Sequence, residues 1–162
     1  MTGAARPAPS ASAWPVSKQR LRLWVRLLRM TRAIEAELRE RLRVQFAMTL
    51  PQFDVMAALD REGGITMTEL SRKLMVSNGN VTGIVDRLVA ERYVLRQAPA
   101  SDRRSYIVRL TPKGAARFAT VAAAHEQWIH ELLSEFDAGE LESLIDHFDG
   151  LARRVRHGGR RP

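Results

Sequence analysis

The chain contains no cysteine. Disulfides, thiol-based redox sensing and cysteine-ligated zinc are therefore excluded, and the composition fits a reducing cytoplasm, where we expect the protein to reside. Long apolar runs are missing too: nothing approaches the ~18 residues of a spanning helix, and no membrane association is expected. The first fifteen residues, MTGAARPAPSASAWP, lack the apolar stretch of a signal peptide. Four histidines, His125, His130, His147 and His157, have no metal-ligand spacing, so neither metal nor cofactor is anticipated. No nucleophile stands beside a base, no phosphate-binding glycine loop occurs, and the acids are scattered over helix surfaces; an enzyme is not expected.

What is present is positive charge. The 162 residues carry a net charge of +8, which points first to a nucleic acid and second to an anionic membrane. Its distribution is uneven. Residues 17–44 hold nine Lys/Arg against three Glu, residues 60–114 ten against six acids, and residues 115–156 four against eight. The basic face therefore belongs to the first two thirds of the chain. With 45% hydrophobic residues there is enough apolar material for one domain with helical extensions.

Periodicity organises the chain. Residues 1–16 read as a disordered Pro/Ala/Ser arm. From 17 the apolar residues Leu21, Trp24, Leu28, Leu38 and Leu42 recur at helical steps or their multiples, predicting a helix of nearly thirty residues. That is long enough to pack against something outside its own domain. Thr49 with Gln52, and Thr66 with Glu69, have capping-box spacing and open two short helices, the first with Pro51 in its first turn and ended by Gly63 and Gly64. Ser77 caps a fourth helix through Val81, Ile84, Val85 and Leu88. Two β-type runs follow, residues 93–97 and 106–110, separated by the polar loop APASDRRS. Thr111 and Pro112 start a fifth helix, and Asp137 with Glu140 starts a sixth. The fold class expected is mainly α with a small β-hairpin wing. A winged helix-turn-helix lobe (49–111) lies between a long N-terminal helix (17–48) and C-terminal helices (112–156), with a basic tail at 157–162.

With those residues in place, the chain resembles the MarR family of bacterial transcription regulators over about residues 17–156. The most specific part is D-x-R-x-x-x-V-x-L-T-x-x-G, present as Asp102, Arg104, Val108, Leu110, Thr111 and Gly114. The run LMVSNGNVTGIVDRLV is also similar to a subgroup controlling aromatic-acid breakdown, including repressors released by hydroxycinnamoyl-CoA thioesters. Two positions depart from the family. Many members have glycine where Arg92 stands, ending the recognition helix in a left-handed turn, and a polar or basic residue where Gly83 stands.

The resemblance implies a homodimer formed by the terminal helices, with two recognition helices about one DNA turn apart on a pseudo-palindrome of double-stranded operator DNA. Ser77, Asn78, Asn80 and Thr82 are the candidate base-reading residues, because asparagine can pair with adenine N6/N7 and threonine can offer a hydroxyl or meet a thymine methyl. Gly79 and Gly83 either let the backbone approach the groove or let helices pack tightly within the motif. Arg72, Lys73 and Arg87 are candidate phosphate contacts, each also readable as a solvated charge. Arg103 and Arg104 suit a narrow minor groove, with Asp102 fixing the wing by pairing with an arginine; a solvated turn is the plainer alternative.

Effectors in the family commonly bind between the dimerisation helices and the DNA-binding lobe. Trp24, Met30, Phe46, Phe53, Met56, His125 and Trp128 could line such an apolar space, or simply belong to the core. Arg20, Arg22, Arg26 and Arg29 could hold the carboxylate of a small aromatic acid or the phosphates of an aromatic acyl-CoA. The expected function is a ligand-released repressor. The alternative is an architectural or constitutive DNA binder without an effector.

Overall fold

The structure is a computed structural model describing residues 15–97 and 106–158. Six helices and three strands follow in order: α1 (Val16–Phe46), α2 (Leu50–Glu62), β1 (Ile65–Thr66), α3 (Met67–Leu74), α4 (Asn78–Ala90), β2 (Val94–Gln97), β3 (Ile107–Leu110), α5 (Pro112–Leu132) and α6 (Ala138–Gly158). They fall into two compact units, residues 1–118 and 119–162, with the boundary inside α5.

Local side-chain chemistry sets the helix starts. Thr49 accepts from the Gln52 amide while the Gln52 side chain accepts from the Thr49 N–H at 2.9 Å, a complete capping box with Pro51 in the first turn. Thr66 and Glu69 repeat the arrangement on α3, and those hydrogen bonds hold the Glu69 carboxyl below its usual pKa. Asp137 and Glu140 satisfy the first turn of α6 reciprocally, at 2.9 and 3.1 Å. Each such cap contributes about 1 kcal/mol.

The first unit is built around one core. Leu38 and Leu42 from the last turns of α1 are buried, as are Phe53, Val55, Met56 and Leu59 of α2, Leu70 of α3, and Val81, Val85 and Leu88 of α4. Phe53 meets Phe118 with ring centroids 5.6 Å apart. α4 packs on both α2 and α3, the arrangement of a helix-turn-helix supported by a third helix. Ile84, grouped with the core residues by its spacing, is only half-buried.

The sheet has the order β1-β3-β2 and is antiparallel throughout. The hairpin expected at 93–110 is thus the larger part of a three-stranded sheet. Its register places Val94 opposite Leu110 and Gln97 opposite Ile107, leading toward the charged loop between the strands. β1 was not expected. Its two residues pair with Val108 and Ile107, and Ile65 and Val108 add to the core.

Gly114, the last position of the family motif, is held by contact. A Cβ there would lie 1.9 Å from the Tyr93 carbonyl oxygen. Thr111 ties this joint together: its N–H donates to the Tyr93 carbonyl, its hydroxyl to that of Arg92 at 2.8 Å, and it accepts from the Gly114 N–H at 2.9 Å. The motif's end therefore fastens the end of α4 to the start of α5.

Candidate nucleic-acid interface

α4 starts at Ser77, whose side chain accepts from the Asn80 N–H at 3.4 Å. It ends in a 6→1 and 5→2 pair of hydrogen bonds, Tyr93 N–H to Leu88 O and Arg92 N–H to Val89 O, both 2.9 Å. That ending requires a left-handed residue, and Arg92 supplies it at φ 61°. The turn typical of the family is therefore kept without its usual glycine, at the expense of strain on an L-residue.

The buried side of α4 is Val81, Val85 and Leu88. At about 3.6 residues per turn, Gly79 and Gly83 fall on the opposite side. A Cβ added at either meets nothing within 4 Å. This removes the reading in which these glycines allow tight helix packing inside the motif; they face open space. Asn78, Asn80, Thr82 and Arg87 are exposed around them, so bare backbone is flanked by hydrogen-bonding side chains.

Two of these side chains have defined surroundings. The Thr82 hydroxyl donates to the Asn78 carbonyl at 2.8 Å, leaving its methyl and its acceptor lone pairs outward. Asn80 and Arg87 share an open groove of about 570 Å³ with Arg39 and Arg43 of α1, Met48, the start of α2, and Ile84. Arg39 and Arg43 thereby join the basic edge beside α4. No local motif marks them in the sequence. Arg43 is held by Glu40 at 2.6 and 2.9 Å, and this hydrogen bond draws the Glu40 carboxyl below its ordinary pKa.

Arg72 and Arg87 are exposed. Lys73 is also exposed but forms an ion pair with Glu62 at 2.7 Å, a pair that must loosen or be shared if Lys73 meets a phosphate. A further pair escaped the sequence reading: Arg96 on β2 and Asp86 on α4 lie 2.7 Å apart and link the wing to the recognition helix. Partly exposed pairs of this kind contribute about 0.2–1 kcal/mol, so this one orients the wing more than it stabilises the fold. Asp102, Arg103 and Arg104 lie outside the described residues.

The residues proposed for an effector are dispersed. Trp24 and Met30 are 59% and 45% exposed on α1, whereas Phe53 and Met56 are core. Phe46 is half-buried under the Arg117 guanidinium, 5.3 Å from its ring, and its carbonyl accepts from Arg117 at 2.6 Å. Arg22 and Arg26 line a hollow of about 190 Å³ with Gln19 and Leu23, and Arg20 and Arg29 are exposed on the same helix. In the second unit Trp128 is buried and His125 half-buried beside it, ring centroids 6.5 Å apart. Burial pushes the His125 pKa down.

Among the described residues no helix is long and apolar enough to cross a membrane. Comparison with known proteins gives a consistent picture. The model of the MarR family matches residues 48–106. The multiple antibiotic resistance protein MarR of Salmonella typhimurium is 34% identical over 98 residues, 60% of this chain and 68% of that protein. The transcriptional activatory protein BadR of Rhodopseudomonas palustris is 30% identical over 131 residues, 76% of this chain and 70% of BadR. Among solved structures, a mutant MarR from E. coli complexed with operator DNA aligns with TM-score 0.72 and 25% identity, covering 85% of this chain and 99% of that one.

Proposed function

The chain belongs to the MarR family, and we propose that it is a homodimeric repressor. It binds a pseudo-palindromic operator and is released by a small aromatic acid or its CoA thioester. The observation that carries the DNA-binding part is the outer face of α4. Two glycines with nothing near them stand between exposed Asn80, Arg87 and Thr82, in a net-basic stretch of a +8 chain. A helix that presents backbone this openly suits a surface that must come close, and the major groove is such a surface. The described relative in complex with operator DNA supports the same use of the fold.

Dimerisation is supported by apolar surface. On α6, Leu144, Ile145, Phe148, Leu151 and Val155 form a helical stripe, each 36–69% exposed. Monomeric proteins rarely leave so continuous a stripe in water. A second copy would cover it and would also supply the second recognition helix.

The effector reading rests on α1. Arg20, Arg26 and Arg29 are exposed, Arg22 and Arg26 border a hollow, and the exposed Trp24 lies one turn from Arg20 on the other side of the helix. Guanidinium forks match phosphate oxygens, and an indole face suits a flat ring. A ligand that binds the DNA-incompetent form a hundredfold more tightly supplies roughly 2.7 kcal/mol of coupling, enough for release. Calorimetry with an aromatic acid and its CoA thioester tests this: the thioester should bind far more tightly, and Arg22→Ala with Arg26→Ala should erase the difference. Equal binding of the free acid removes the CoA reading and leaves a carboxylate sensor. One observation favours a second sign of regulation: BadR is named a transcriptional activatory protein. A reporter driven by the operator, read with and without the regulator, decides between the two.

A further inference from the structure

Met75 is 93% exposed, more than any other large apolar residue described, and it sits in the left-handed region at φ 53°. It closes α3: its N–H donates to Arg72 O at 3.3 Å, and the Val76 N–H donates to Ser71 O at 3.2 Å. Ser77 then caps α4. Val76 beside it is 39% exposed. A turn that needs only a left-handed residue is served by glycine or asparagine, and a turn that faces only water is served by polar residues. Methionine meets neither demand. It combines backbone strain with an apolar side chain held in solvent at the tip of the helix-turn-helix. Ala47 and Arg92 are also left-handed, but only Met75 adds a large apolar side chain held in solvent, and strain of that kind is a mark of a functional position.

We propose that Met75 is an apolar contact to DNA. It packs, with Val76, on thymine methyl groups or on deoxyribose where the start of α4 enters the major groove. This rests on the DNA-binding reading above. The thymine C5-methyl is the one apolar feature that bases present in that groove, and the sugar edge is the other apolar surface within reach of a recognition helix's first turn. A thioether side chain is long, unbranched and polarisable, so it adapts to either. The position fits the glycines. Gly79 lies on the first turn of the same helix with open space before it, so a close approach there brings the preceding turn to the DNA as well.

The test uses the full-length protein and a duplex selected by wild-type protein from a random-sequence pool, at one fixed salt concentration. Met75→Gly should raise the melting temperature, because the left-handed strain goes, while weakening binding at least fivefold. Met75→Ala should lose similar affinity without the gain in melting temperature. The same duplex with deoxyuridine for thymidine separates the two surfaces. If the methyl is the partner, wild type weakens on the substituted duplex and the variants weaken little further. If deoxyribose is the partner, wild type keeps its margin over the variants on both duplexes. Binding of both variants within twofold of wild type overturns the proposal while leaving the DNA-binding reading intact. Failure of wild type to select any duplex overturns both.

Discussion

Replacing Gly79 and Gly83 together by alanine should make the protein more stable and a worse DNA binder. Both lie in α4, and the added Cβ atoms meet nothing within 4 Å, so no steric term opposes the gain in helix propensity. Glycine to alanine inside a helix is worth roughly 0.5–1 kcal/mol. Gly83 is interior and Gly79 lies in the first turn, so the pair should gain about 1–1.5 kcal/mol. For a protein of this size each kcal/mol moves the melting temperature by about 2–4 °C, giving a rise of roughly 2–6 °C by circular dichroism. DNA binding should move the other way. Two methyl groups per protomer would stand where the backbone meets base edges, and losing one base contact costs about 1–3 kcal/mol, or about tenfold for each 1.4 kcal/mol. Fluorescence anisotropy at fixed salt should show at least a tenfold loss. Wild-type affinity in the double variant would refute the idea that bare backbone is needed for docking. A lowered melting temperature would show that the folded protein itself requires these glycines.

Arg92→Gly should raise stability by about 0.5 kcal/mol. Relief of a left-handed L-residue exceeds the extra freedom glycine gains when unfolded, and a drop in the denaturant midpoint would contradict this. Arg104→Ala should weaken operator binding while dimer state and melting stay unchanged; full affinity would remove the minor-groove assignment. Burial holds His125 below its ordinary pKa, so the folded chain resists a proton that the unfolded chain accepts near pH 6.5. Stability should therefore fall as pH drops below about 6.5, and His125→Gln should flatten that part of the profile. A wild-type profile without the decline would show that the imidazole is not held neutral.

Much of the fold was legible because its signals are local. Thr49 with Gln52, Thr66 with Glu69, and Asp137 with Glu140 are complete devices within four residues, and all three close as their spacing implies. β1 was not legible because two residues carry no period; Ile65 and Thr66 form a strand only through Val108 and Ile107, some forty positions away. The Arg96–Asp86 pair is hidden for the same reason, since each charge alone reads as surface. Glycine shows the division within one residue type. At Gly114 the demand comes from the Tyr93 carbonyl, a contact made across the fold, whereas at Gly79 and Gly83 no neighbour in the described fold makes one. Sequence alone could not separate those two cases. The space around each Cβ does.

The most direct test of the account is the salt dependence of operator binding. Arg72, Lys73, Arg87 and Arg104 on two protomers would make about eight phosphate or groove contacts, and each releases counterions with a log–log slope of about −0.9. Affinity measured by anisotropy should then fall by roughly 10³–10⁵ between 50 and 200 mM salt. The Arg72→Ala and Arg87→Ala variants should each show a shallower slope. A nearly flat dependence in the wild type would contradict the claim that the basic face serves DNA.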